Sequence, residues 1–177
     1  MVKTSSTKRN AFSPPVGPIR ILVVDDFEPF RVFVFSVVSK APEFQIICEA
    51  SDRLEAVQKA EELKPDLILL DIGLPKLNGI QAARQIRKLA PSSKILFLSQ
   101  ESSADVVQEA LDLGAMGYVV KAHAGSELLA AVESVCQGRR FVSLGLSGSN
   151  ITGGANSQPL DCLSDKEVAA PVAPFVL

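Results

Sequence analysis

Ile19-Arg20-Ile21-Leu22-Val23-Val24-Asp25-Asp26 decides the fold. A short apolar run that stops abruptly at two acids reads as a strand covered on both faces, with its carboxyl end reaching water. The same form recurs along the chain. Phe44 to Glu49 is a second strand, and Asp66-Leu67-Ile68-Leu69-Leu70 ends at Asp71. Lys94-Ile95-Leu96-Phe97-Leu98-Ser99 ends in a hydroxyl, and Gly117-Tyr118-Val119-Val120 ends at Lys121. Helix-period segments lie between. Asp52 to Leu63 places Leu54, Val57, Ala60 and Leu63 on one stripe, with Asp52 as N-cap. Ile80 to Leu89 offers Ile80, Ala83, Ile86 and Leu89. Ser102 to Leu113 offers Val106, Val107, Ala110 and Leu113 before Gly114, and Ser126 to Cys136 offers Leu128, Leu129, Val132 and Val135 before Gly138. Pro29 to Lys40 conflicts with propensity, because Phe33-Val34-Phe35 and Val37-Val38 favour a strand. Its place between two parallel strands requires a crossover, so a helix is expected, with Pro29 in its first turn. Five strands alternating with five helices predict an α/β, doubly wound, five-stranded parallel sheet. Working sites in such sheets lie at the carboxyl ends of the strands.

Composition agrees. The chain has 177 residues, 47% hydrophobic and 21% charged, enough for one domain with tails and too apolar for disorder throughout. Lys+Arg 18 against Asp+Glu 20 gives a net charge of -2, which predicts no broad attraction to nucleic acid or membrane. The densest apolar run, Val32 to Val38, is broken by Ser36 and falls far short of the roughly 20 residues that cross a bilayer. Lys3, Lys8 and Arg9 are followed by no apolar segment, so no secretory signal is expected. Cys48, Cys136 and Cys162 are odd in number and lack metal spacing, which points to reduced thiols and a cytoplasmic location. Residues 1–18, rich in Ser, Pro, Lys and Thr, read as a flexible arm, and residues 19–138 as the folded domain.

The strand ends carry the chemistry. Asp25 and Asp26, Asp71, Ser99 and Lys121 converge on one edge of the sheet. Three clustered carboxylates repel, and a hard divalent cation relieves the repulsion. A set of oxygen ligands without His or Cys favours magnesium. A carboxylate beside that cation and an ammonium is a competent nucleophile toward a phosphoryl group. Ser99 can then donate to a phosphoryl oxygen, and the product is an acyl phosphate on aspartate. One acid at a strand end is ordinary loop polarity; four strand ends supplying polar groups, one of them a lysine among acids, is not. Tyr118 read alone is a half-exposed strand aromatic, His123 a solvated loop residue, and Cys136 a small apolar filler.

At these residues the chain resembles the receiver domain of bacterial two-component response regulators. The matching pieces are Val23-Val24-Asp25-Asp26, the run from Asp66 through Asp71-Ile72-Gly73-Leu74-Pro75 to Asn78-Gly79, Leu98-Ser99, and Gly117-Tyr118-Val119-Val120-Lys121. They cover about residues 19 to 138 and are closest to the branch that carries a LuxR/FixJ-type output. The resemblance implies a flavodoxin-like (βα)5 fold with strand order 2-1-3-4-5. It implies that Asp71 accepts phosphate from a histidine kinase or phosphotransfer protein, the chain catalysing its own aspartyl phosphorylation and dephosphorylation. Asp26 and Asp71 would hold Mg2+ directly, Asp25 would help through water, and Gly73 would offer its backbone carbonyl. Lys121 would pair with the phosphoryl group, Ser99 would swing toward it, and Tyr118 would rotate inward. The face formed by the fourth helix, fifth strand and fifth helix would then switch, for protein contacts or a homodimer. Three positions depart from the family pattern: Gln100 follows Ser99 where a small residue is usual, Ala122 follows Lys121 where proline is common, and Gly73 has no side chain to shield the acyl phosphate. Gly73 together with Glu101 is expected to permit fairly quick autodephosphorylation.

Residues 139–177 read as a linker and the remnant of an output domain. Leu163-Ser164-Asp165-Lys166-Glu167 resembles the opening of a LuxR-type DNA-binding domain, and Ser164 with Glu167 fits a capping box. The residues after Glu167 include Pro171 and Pro174, so no recognition helix and no DNA binding by this chain are expected. Other readings stay open: a truncated regulator that serves as a phosphate sink, and an unphosphorylated adaptor. A flavin-binding protein on the same sheet order would need a phosphate-cradling loop after the first strand, where the acid pair stands instead.

Overall fold

The computed structural model describes residues 17–74 and 78–144. The N-terminal arm up to residue 16, the loop residues 75–77, and the linker and capping box read beyond residue 144 lie outside the described residues. The elements are β1 (Ile19–Val24), α1 (Glu28–Val38), β2 (Phe44–Ala50), α2 (Arg53–Leu63), β3 (Leu67–Asp71) and α3 (Asn78–Leu89). They continue with β4 (Lys94–Ser99), α4 (Ala104–Asp112), β5 (Gly117–Val120), a 3-10 turn (Lys121–His123), α5 (Ala124–Cys136) and β6 (Phe141–Val142). The sheet order is β2-β1-β3-β4-β5-β6, and every neighbouring pair is parallel.

The expected five-stranded sheet therefore needs correction to six strands. Gly138 takes a φ of +80°, a left-handed conformation that favours glycine and turns the chain off α5. The return lays Phe141 and Val142 beside Gly117 and Tyr118, with the Phe141 amide donating to the Met116 carbonyl at 3.1 Å. A two-residue edge strand has no alternation to read in a sequence.

Side chains alternate across the sheet as the pleat requires. In β3, Ile68 and Leu70 pack with Ala56 and Ala60 of α2, Ile86 of α3 and Val107 of α4. Leu67 and Leu69 pack on the other face with Val34 of α1 and Leu128 and Val132 of α5. The sheet is thus covered on both faces, which is why its strands read as continuous apolar runs.

Topology overrides propensity in α1, where Val34, Val37 and Val38 are buried while Val32 and Phe35 face outward. Asp52 caps α2, its carboxylate accepting from the Glu55 amide at 3.0 Å. The expected stripe on α2 is rotated: Ala56 and Ala60 are buried, and Leu54 is 70% exposed. Small alanines let α2 lie close to the sheet, and that face wins over the one carrying the larger side chains. Leu89, at the end of α3, is 37% exposed. Cys136 is half-buried as a filler, and burial pushes its thiol up to about 11.

Candidate functional site

The sheet order reverses at β1, which has β2 on one side and β3 on the other. The carboxyl ends of β1, β3, β4 and β5 meet beside that point, and a cleft of about 360 Å³ opens there. All the residues read from the sequence as site residues stand at or next to those ends.

Asp25 is fully buried, and its Oδ1 accepts from the Phe27 amide at 3.0 Å. Asp26 is exposed at the mouth of the cleft. Asp71 ends β3 almost fully buried, with Oδ1 accepting from the Gly73 amide at 2.7 Å. Carboxylate oxygens of Asp25, Asp26 and Asp71 lie within 4.8 Å of one another. The Lys121 ammonium stands between two of them, donating to Asp71 Oδ2 at 2.8 Å and lying 2.7 Å from Asp25 Oδ2. The second contact is an ion pair outside hydrogen-bond alignment, so Asp25 Oδ2 is buried without a hydrogen-bond donor. An oxygen in that condition keeps a lone pair for a cation or an ordered water.

Electrostatics follow from burial and these pairs. Burial raises the Asp71 carboxyl above the usual carboxylate range; the Lys121 hydrogen bond and the Gly73 amide work against it, and the Asp25 charge adds to it. Burial also disfavours the charged form of Lys121, but the contacts with Asp25 and Asp71 outweigh it and leave its pKa above the ordinary lysine value.

Ser99 is buried, with Oγ accepting from the Glu101 amide at 3.0 Å. The Tyr118 hydroxyl donates to the Glu101 carbonyl at 2.9 Å. Tyr118 has no exposed surface, so the alternative of a half-exposed strand aromatic does not hold: the ring points inward and its hydroxyl is capped by the loop after β4. Burial raises its phenol pKa, and the nearby Ser99 hydroxyl lowers it by less. Gln100, Glu101 and Gly73 all line the cleft. No peptide bond among the described residues is cis, so the bond before Ala122 is trans. His123 is exposed on the 3-10 turn.

Two contributors were not read from the sequence. Phe30 lines the cleft and stacks its ring on Lys121, with Nζ 4.6 Å from the centroid. Arg31 donates from Nη1 to the Asp25 carbonyl at 2.8 Å and pairs through Nε with Glu49 at 2.7 Å. The available signal was position: a helix that begins at Glu28, straight after the acid pair, must lean its first turn over the strand ends.

The family model for the response regulator receiver domain matches residues 21–133. The chain belongs to the response regulator receiver family. This receiver is 36% identical over 124 residues to the transcriptional regulatory protein DegU of Brevibacillus brevis, a match covering 70% of this chain and 52% of DegU. It is 36% identical over 116 residues to the chemotaxis protein CheY of Thermotoga maritima, covering 66% of this chain and 96% of CheY. A LuxR-family two-component response regulator from Aurantimonas superposes with a TM-score of 0.70 at 31% identity, covering 74% of this receiver and 94% of that chain. The chain spans about half the length of DegU and of the similar regulator VraR from Staphylococcus saprophyticus. Among the described residues no helix is long and apolar enough to cross a membrane.

Proposed function

We propose that this receiver accepts a phosphoryl group on Asp71 from the phosphohistidine of a histidine kinase or phosphotransfer protein, with Mg2+ bound, and signals through the face of α4, β5 and α5. The observation that carries this reading is the Lys121 ammonium set between the Asp25 and Asp71 carboxylates over an open cleft. The donor set fits a hard divalent cation, because three carboxylates converge and one buried oxygen has no hydrogen bond. Asp26 and Asp71 would hold it, with Gly73 through its carbonyl and Asp25 through water. The metal supplies charge neutralisation to the carboxylates and to the arriving phosphoryl oxygens.

The chain's own residues do the rest. An Asp71 carboxylate oxygen attacks phosphorus, the phosphorus–nitrogen bond of the donor breaks, and its electron pair returns to the imidazole. Lys121 follows the negative charge from the carboxylate onto the phosphoryl oxygens. Ser99 turns its hydroxyl toward one of those oxygens, and in doing so gives up the Glu101 amide. Glu101 is also the residue that Tyr118 holds, so movement of Ser99 is felt at the start of α4 and along β5.

Incubation with phosphoramidate and MgCl2, followed by intact-mass measurement, tests this directly. The chain should gain the mass of one phosphoryl group, and Asp71→Asn should abolish the gain. No gain in the unaltered chain would favour an adaptor that works without phosphate.

A further inference from the structure

We propose that Phe30 is a positioning residue for Lys121: its ring face holds the ammonium over the cleft while that ammonium exchanges a carboxylate partner for the incoming phosphoryl oxygens. The inference rests on the phosphoryl-transfer reading and names a residue that reading does not need.

Lys121 has a long flexible stem, so an ammonium left to find its own place would sample many rotamers. Here its side chain is only 11% exposed, and three groups surround Nζ: Asp25 at 2.7 Å, Asp71 at 2.8 Å and the Phe30 ring at 4.6 Å from the centroid. The two carboxylates are held by charge, and one of them is the group that must react. As an Asp71 oxygen bonds to phosphorus, its charge moves outward and the ammonium must move with it. A third carboxylate would compete for the ammonium at that moment. An aromatic face does not compete, because its attraction for a cation is weaker and spread over the ring. The ammonium can slide across that face without losing contact.

Phe30 is built to stay in place. It sits in the first turn of α1, next to the acid pair, and packs against the buried cluster that contains Val34 and Leu128. Phe33 backs it, with ring centroids 5.5 Å apart and planes tilted by 35°. Phe30 is itself only half-buried, so a change of its side chain leaves the core beneath intact.

The test uses the full chain and the variants Phe30→Leu, which keeps apolar bulk, and Phe30→Tyr, which keeps the aromatic face. NMR of the chain without metal or phosphate donor reads the contact itself. The Lys121 ε-methylene protons should be shifted upfield by the ring, should stay shifted in Phe30→Tyr, and should return to ordinary lysine values in Phe30→Leu. Phosphorylation by saturating phosphoramidate with MgCl2 then reads the role. Loss of a partly desolvated cation–ring contact should slow Phe30→Leu by about 3- to 20-fold, with Phe30→Tyr near the unaltered rate and thermal unfolding similar in all three. An unshifted ε-methylene, or a Phe30→Leu rate equal to that of the unaltered chain, would overturn the proposal alone. Equal slowing in both variants would also overturn it, because an aromatic ring would then bring no benefit. An unaltered chain that takes no phosphate would remove the phosphoryl-transfer reading and this role with it, and the NMR shift would still show whether the contact exists.

Discussion

Tyr118 is the only tyrosine in a chain without tryptophan, so the phenolate absorbance of the folded protein reports one buried hydroxyl. Burial raises its pKa above the ordinary value of 10.0. The folded chain therefore keeps this proton to higher pH than the unfolded chain does. The stability contributed is whole below the unfolded value and falls as pH rises from there through the folded one. A spectrophotometric titration should show a midpoint above 10.0 in native buffer and an ordinary midpoint in urea; a native midpoint at or below the urea value would contradict the inward ring. Gly73 supports a second prediction. A Cβ placed there would lie 3.2 Å from Asp71 Oδ1, close enough for a side chain at this position to cover the carboxylate. Gly73→Arg should lengthen the life of the phosphorylated chain in a radiolabel decay assay, and an unchanged decay would sink the idea that the bare glycine admits water. The acids and the lysine were legible because four strand ends that must meet all deliver polar groups, with one lysine among acids. Phe30 was not, since a phenylalanine on a helix is far more often plain core.

The first turn of α5 and the residue that follows the short β6 are joined by a buried polar contact that no periodicity announces. Ser143 is fully buried and its hydroxyl donates to Glu127. The same hydroxyl accepts from the Val120 amide at 2.9 Å, one residue before Lys121. The Ser143 amide donates to the Tyr118 carbonyl at 3.0 Å. The residue after β6 is thus tied to both Tyr118 and Val120 of β5. Ser143→Ala would strand a buried amide and a buried carboxylate oxygen, and such losses cost about 1–3 kcal/mol. Urea unfolding should show the midpoint fall with the slope unchanged; an unmoved midpoint would mean that water replaces the hydroxyl without cost. The sequence shows this contact poorly because it joins residues 16 apart across a turn made by Gly138. The crossover position of α1 was legible for the opposite reason: parallel neighbours leave no other connection, whatever the β-branched residues prefer.

Asp25, Asp26 and Asp71 against Lys121 sum to −3 + 1 = −2, which equals the formal net charge of the entire chain. The remaining acidic and basic side chains sum to zero, 17 against 17, so the site carries as much formal charge as the chain does. A divalent cation there would neutralise the site and the chain together. Folding assembles this cluster from β1 and β3, so the unfolded chain lacks the site and binding must appear as stability. A concentration a hundredfold above the dissociation constant should add about 2.7 kcal/mol. Asp26 is the informative position, because it is exposed and makes no ion pair among the described residues. Without metal, Asp26→Asn should unfold within about 0.5 kcal/mol of the unaltered chain, as surface substitutions do. With MgCl2 at constant ionic strength, the unaltered chain should gain stability progressively while Asp26→Asn gains little. If both chains gained equally, the effect would be general screening by salt, and the acid cluster would owe its place at the strand ends to something other than a cation.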